Sequence, residues 1–161
     1  MNDMNEIRWV VTDSKEKSLP NSYIVTAYQK EIGCNMKQPF IKYDKISDSL
    51  NITFEINKPA TGIELNDHIL LRIDKNNRKA IGITIFDYSV ISQKTEIGPR
   101  SFPLDGLSEL SDETSKIVYE ILLKHPVNKF LSLSAYYPAD TKNIIPITII
   151  QNSYKIENHA A

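Results

Sequence analysis

The 161-residue chain has a single cysteine, Cys34. One thiol excludes an intrachain disulfide and a thiolate cluster for zinc. Its three histidines, His68, His125 and His159, are too widely spaced to suggest a metal-ligand set. An excess of charge of one sign is also missing: 19 basic and 20 acidic side chains leave a formal net charge of −1. Such a balance provides no whole-chain field to favour nucleic acid or an acidic membrane. No run approaches the ~20 apolar residues that cross a bilayer. Met1 to Ile7 is polar and acidic, unlike a signal peptide, so the expected compartment is the cytoplasm. Phosphate loops, dinucleotide fingerprints and serine elbows do not occur.

What is there is a rhythm. Leu50, Ile52, Phe54 and Ile56 share one parity, as do Ile69, Leu71 and Ile73, and then Ile81, Ile83 and Ile85. A strand turns successive side chains to opposite faces, so these runs describe a sheet with one greasy side. The hydrophobic fraction of 41% and charged fraction of 24% belong to a globular protein. The runs predict strands over Phe40–Asp44, Leu50–Ile56, Ile63–Asp74 with a turn at Asn66-Asp67, and Lys79–Tyr88. Asp74 to Asn77 forms a turn in which asparagine tolerates left-handed backbone. Sequential antiparallel pairing, a meander, is the simplest topology.

Elsewhere, Arg8 to Gln29 reads as a strand pair and Glu31 to Gln38 as a linker, dividing the chain into a hairpin region, 1–38, and a strand-rich domain, 39–161. Ser111 is a good helix N-cap, and Asp112 and Glu113 suit the positive end of a helix dipole. Ile117, Val118, Ile121 and Leu122 follow at helical spacing until Pro126 intervenes, giving a helix over Asp112–Lys124. Phe130 to Tyr137 alternates again. Asn143 to Gln151 is an apolar strand that Pro146, which cannot donate to a ladder, assigns to an edge. The fold class is therefore α+β: an antiparallel β-meander with one principal helix packed on its apolar face.

Candidate chemistry is sparse. His68 beside Asp67 has the composition of a base oriented by a carboxylate, but sequence neighbours need not converge. His125 fits a helix C-terminus. Asp44 and Asp48 flank a turn, where aspartate ordinarily caps backbone amides. Asp74 lacks the spaced oxygen ligands of a calcium loop. Neither catalytic residues nor cofactors are implied. Arg100 can bind an anion bidentately. Tyr136, Tyr137 and Ile147, within the apolar stretch Ile144 to Ile150, are candidates for a partner surface, since tyrosine brings apolar area and a hydroxyl. Lys129 and Lys142 are too few to back those tyrosines in stacking RNA.

The run Ile41-Lys42-Tyr43-Asp44-Lys45-Ile46-Ser47-Asp48-Ser49-Leu50-Asn51-Ile52 resembles the opening of a family of small prokaryotic proteins, domain of unknown function 2283. Counterparts of its later positions are Gly62-Ile63-Glu64-Leu65, Ile69 to Asp74 and Ile81-Gly82-Ile83-Thr84-Ile85, so the resemblance covers residues about 40–92. It implies a compact strand-rich fold and no catalytic residues. Tyr23-Ile24-Val25-Thr26-Ala27-Tyr28, closing the strand pair at 8–29, resembles the last strand of toxin-like domains of the RelE and barnase type. That second resemblance implies a docking arm or the relic of a ribonuclease with Thr26 or Tyr28 near its substrate. The expected function is a non-enzymatic interaction module, antitoxin-like or immunity-like, that occludes a toxin partner. The alternatives are that ribonuclease relic and a homodimer joined through Ile144 to Ile150.

Overall fold

The computed structural model describes residues 8–12, 22–28 and 39–151. Cys34, the linker at 31–38 and His159 lie outside them, as do the side chains of Thr26 and Tyr28. The chain divides between Tyr88 and Ser89 into two compact units, whereas the sequence places its boundary between residues 38 and 39.

The first unit is a seven-stranded sheet. Its strands are β1 (Arg8–Thr12), β2 (Ser22–Tyr28), β3 (Phe40–Asp44), β4 (Ser49–Thr53), β5 (Thr61–Asn66), β6 (Ile69–Asp74) and β7 (Lys79–Ile85). Every adjacent pair is antiparallel, in the order β1-β2-β3-β4-β7-β6-β5. The hairpin of β1 and β2 thus extends the sheet at β3. A simple meander would pair β4 with β5, but β4 pairs β7 instead. Burial explains the choice. All of β7 except Lys79 is buried, so it takes a central position with a neighbour on each side. β5, with exposed Thr61, Gly62 and Glu64, goes to the edge.

The predicted rhythm becomes a cross-sheet row: Ile41, Ile52, Ile83, Leu71 and Ile63 lie opposite one another through successive registers, and all are buried. Burying each such side chain contributes roughly 1.5–3 kcal/mol before entropic costs. The rhythm fails at its ends. β4 stops at Thr53, the amides of Phe54 and Glu55 both bond the Ile81 carbonyl, and Ile56 is exposed. β7 stops at Ile85, and Tyr88–Ile91 forms a short helix, α1, rather than continuing the strand.

Two turns share one construction. The Asp44 carboxylate accepts the Ile46 amide at 2.9 Å, and that of Asp74 accepts the Asn76 and Asn77 amides at 3.0 and 3.1 Å. Each turn ends in a left-handed residue, Asp48 at φ 46° and Arg78 at φ 50°. Arg78 therefore takes the conformation expected of an asparagine, while the asparagines bond the Asp74 carboxylate. These bonds hold both carboxyls below the usual carboxylate range, first through the Ile46 amide for Asp44 and the Asn77 side chain for Asp74.

The second unit holds β8 (Ser101–Pro103), helix α2 (Asp112–Leu123), β9 (Leu131–Tyr136) and β10 (Ile145–Ile150). Ser111 caps α2 as expected, its hydroxyl accepting the Thr114 amide at 3.3 Å. The helix ends one residue early, at Leu123, and His125 lies beyond its cap. Ile117, Val118, Ile121 and Leu122 are its buried residues, and α2 lies against β9 within this unit.

The sheet order is β8-β10-β9, so β10 is the central strand and not an edge. Pro146 is tolerated there because of where β8 ends. The Pro146 carbonyl accepts the amide of Leu104, one residue beyond β8, at 2.8 Å. The one bond forgone is its reciprocal, at the last rung of the ladder.

Gly82 produces the sharpest prediction. A Cβ built there would stand 2.6 Å from the Ile52 carbonyl oxygen and 2.3 Å from Arg72 Nη2. The arginine can swing away; the backbone of β4 cannot. Gly82→Ala should lower unfolding free energy by about 1–3 kcal/mol in urea titrations. Adding Arg72→Ala should not restore it, and recovery in the double variant would show that the side chain alone sets the limit.

Candidate functional site

Candidate surfaces lie in both units. In the second, the register fixes which side chains share a face. Ile145, Ile147 and Ile149 of β10 stand opposite Tyr136, Ser134 and Ser132 of β9. Across the other edge of β10, Ile147 and Ile149 face Pro103 and Ser101 of β8. The alternate residues Leu131, Thr148 and Ile150 form the buried side.

The first face is therefore three isoleucines in a line, bordered by serines, a proline and a tyrosine, with no charged residue. Tyr136 is 57% exposed and Ile145 38%, while Ile147 and Ile149 are half-buried. An uncharged apolar strip with an aromatic hydroxyl at its rim has the composition of an interface centre.

Of the sequence-derived residues, Tyr136 and Ile147 meet on this face. Tyr137 is exposed but follows β9, outside the register. Arg100 is exposed just ahead of β8 and is likewise outside the register. Ile145, Ile149, Ser132 and Ser134 were not singled out by sequence, although the parity of Ile145, Ile147 and Ile149 carried the signal.

The first unit gathers Tyr43, Asp48, His68 and Asp87 at one end of the sheet, where Leu50, Ile85 and Ile69 form a row. The Phe86 amide bonds the His68 carbonyl at 2.8 Å and the Tyr88 amide bonds that of Asp48 at 2.9 Å. Between them Asp87, at φ 51°, places its carboxylate 3.0 Å from His68 Nδ1. The carboxylate facing His68 is thus Asp87, 19 residues distant, and not the sequence neighbour Asp67. With side chains 37% and 61% exposed, this is a surface pair of small energetic weight.

The Tyr43 hydroxyl donates to Asp48 Oδ1 at 2.7 Å, and its ring lies 6.0 Å from that of Tyr88. Burial, reinforced by the Asp48 hydrogen bond and charge, pushes the phenol up from 10.0 to about 12. Tyr43 is accordingly a protonated donor near neutrality and not a base. Among the described residues no group of three or more His, Cys, Asp or Glu side chains could hold a metal ion. No helix among them is long and apolar enough to cross a membrane.

The raised phenol has a definite sign. Its neutral form is favoured by the fold, so its stabilisation is complete below pH 10.0 and is lost as pH rises toward about 12. Tyr43→Phe should cost about 1 kcal/mol near neutrality through the lost hydrogen bond. It should also flatten the decline in stability over that alkaline window, as followed by urea unfolding. An unchanged alkaline slope would refute this assignment.

Comparison with known proteins ends at the first unit. Neither a curated protein nor a solved structure matches the chain, and nothing in these comparisons supports the likeness of Tyr23–Tyr28 to toxin-type ribonucleases. Residues 41–89, from β3 into α1, match the family described as a protein of unknown function (DUF2283).

Proposed function

We propose that the chain is a non-enzymatic protein-interaction module whose second unit docks a protein partner. The observation that carries this reading is the uncharged strip of Ile145, Ile147 and Ile149 with Tyr136 at its rim. Covering it removes apolar area from water, at roughly 25 cal/mol per Å² before the costs of association. Tyr136 adds a large side chain with few rotatable bonds and a hydroxyl able to pair at the rim. The mechanism is occlusion: the strip lies over the partner's cleft and excludes its substrate. In the narrower form the partner is a toxin domain and the chain acts as an antitoxin or immunity protein does. The compartment proposed for this encounter is the cytoplasm.

The test is affinity capture from native cytoplasmic extract with the wild type, Tyr136→Ala and Ile147→Ser. The wild type should retain a stoichiometric protein that both variants lose, with thermal unfolding confirming that each variant remains folded. Equal recovery by all three would overturn the reading. So would metal-independent cleavage of total RNA by the purified wild type.

A further inference from the structure

Edge strands expose unpaired amides and carbonyls, and proteins usually blunt them with charge, proline, bulges or brevity. Among the described edge strands whose side chains are placed, two carry such devices. β5 has an exposed Glu64 and a register shift between Glu64 and Asn66. β8 is three residues long and ends in Pro103. β9 has neither device. Its sequence, Leu-Ser-Leu-Ser-Ala-Tyr, has no charge, proline or glycine, and its register with β10 runs unbroken from Leu131 to Tyr136.

The hydrogen-bond phase of this edge follows from one contact. The Gln151 amide bonds the Phe130 carbonyl at 2.8 Å, one step beyond the Ile150–Leu131 pair. Hydrogen-bonded pairs alternate along an antiparallel ladder. Ser132, Ser134 and Tyr136 therefore turn their backbone groups toward β10, while Leu131, Leu133 and Ala135 turn theirs to the open side. Leu131 is buried and Leu133 half-buried, whereas Ser134, Ala135 and Tyr136 are exposed. The accessible edge is centred on Ser134.

We infer that this edge pairs with the same edge of a second copy of the chain, antiparallel about a two-fold axis at Ser134. The sequence is self-complementary in that register. Leu133 meets the second copy's Ala135, a large side chain against a small one, and these residues exchange both of their outward hydrogen bonds. Ser134 meets its own equivalent in a non-hydrogen-bonded pair, where backbones approach to about 4.5 Å and small hydroxyl side chains suit the spacing. Ser132 meets Tyr136. The alternation of faces continues across the axis, so the two isoleucine strips lie on one side of a continuous six-stranded sheet. The inference deepens the interaction-module reading, and rests on it only in taking that strip as the docking face.

Sedimentation velocity on the full chain, combined with site-directed crosslinking, tests it. The wild type should sediment at twice the chain mass, and Ser134→Lys, which sets two like charges at the axis, should sediment as a folded monomer. In a Cys34→Ser background, Ser134→Cys should form an intermolecular disulfide on mild oxidation, because a Cα separation of about 4.5 Å suits one. Ser132→Cys, facing Tyr136, should not. A monomeric wild type, a dimer that survives Ser134→Lys, or equal crosslinking at both positions would overturn the inference. Monomeric Ala135→Pro, which removes an outward amide and leaves the isoleucine strip unchanged, should still capture the partner; that result would support the dimer assignment and leave the docking reading standing. A crosslinked dimer that captures nothing would remove the docking reading alone.

Discussion

Close approach of β4 and β6 to the two sides of β7 is the constraint on which the first unit depends. Its isoleucine row is continuous only if β7 is central, and the Arg72 side chain and β4 backbone then leave no room for a Cβ at residue 82. Gly82 is required by that proximity; it sits within a strand, where a glycine otherwise weakens packing. The same arrangement directs the turns. With β7 ending beside the starts of β4 and β6, residues 86–88 can bond Asp48 and His68 at once, and the polar groups of three connections gather there.

This geometry gives the polar cluster a structural explanation. Tyr43 is held protonated by burial and by Asp48, whose backbone carbonyl in turn holds Tyr88. The His68–Asp87 pair caps the junction from the solvent side. Catalysis needs a group poised to exchange a proton near working pH, with a substrate position beside it. Tyr43 is shifted away from that range, and Asp44 spends its carboxylate on a turn amide, as Asp74 does at the opposite end of the sheet. The chemistry at this end of the sheet is consistent with anchoring the connections.

The strands were legible because burial on one face of a sheet imposes period two, and β6, β4 from Leu50 and β5 from Gly62 follow it residue by residue, whereas β7 is buried throughout after Lys79. Helix α2 was legible through its Ser111 cap and helical spacing. Strand order was not, since alternation specifies faces and says nothing about neighbours. Pro146 misled for an instructive reason. A missing amide forbids one hydrogen bond, and whether it marks an edge depends on where the neighbouring strand stops. Here β8 is so short that the penalty falls at its last rung. His68 and Asp87 could not be paired from sequence because their meeting depends on two turns and a left-handed residue. The candidate face was half legible: Tyr136 and Ile147 came from composition, while their shared side needed the register.

The division of the chain separates what the family resemblance of residues 41–89 can say from what it cannot. The match at 41–89 covers the isoleucine rows, Gly82 and the polar junction, all of which serve to build one sheet. The uncharged strip and the unguarded strand β9 lie beyond it, in the second unit. In the first sheet the Asp44 and Asp74 carboxylates are engaged by turn amides. In the second unit, a sheet with an apolar face and an open edge leaves free energy to be gained by association. The surface of this chain most suited to a partner is therefore the part that its family resemblance does not reach.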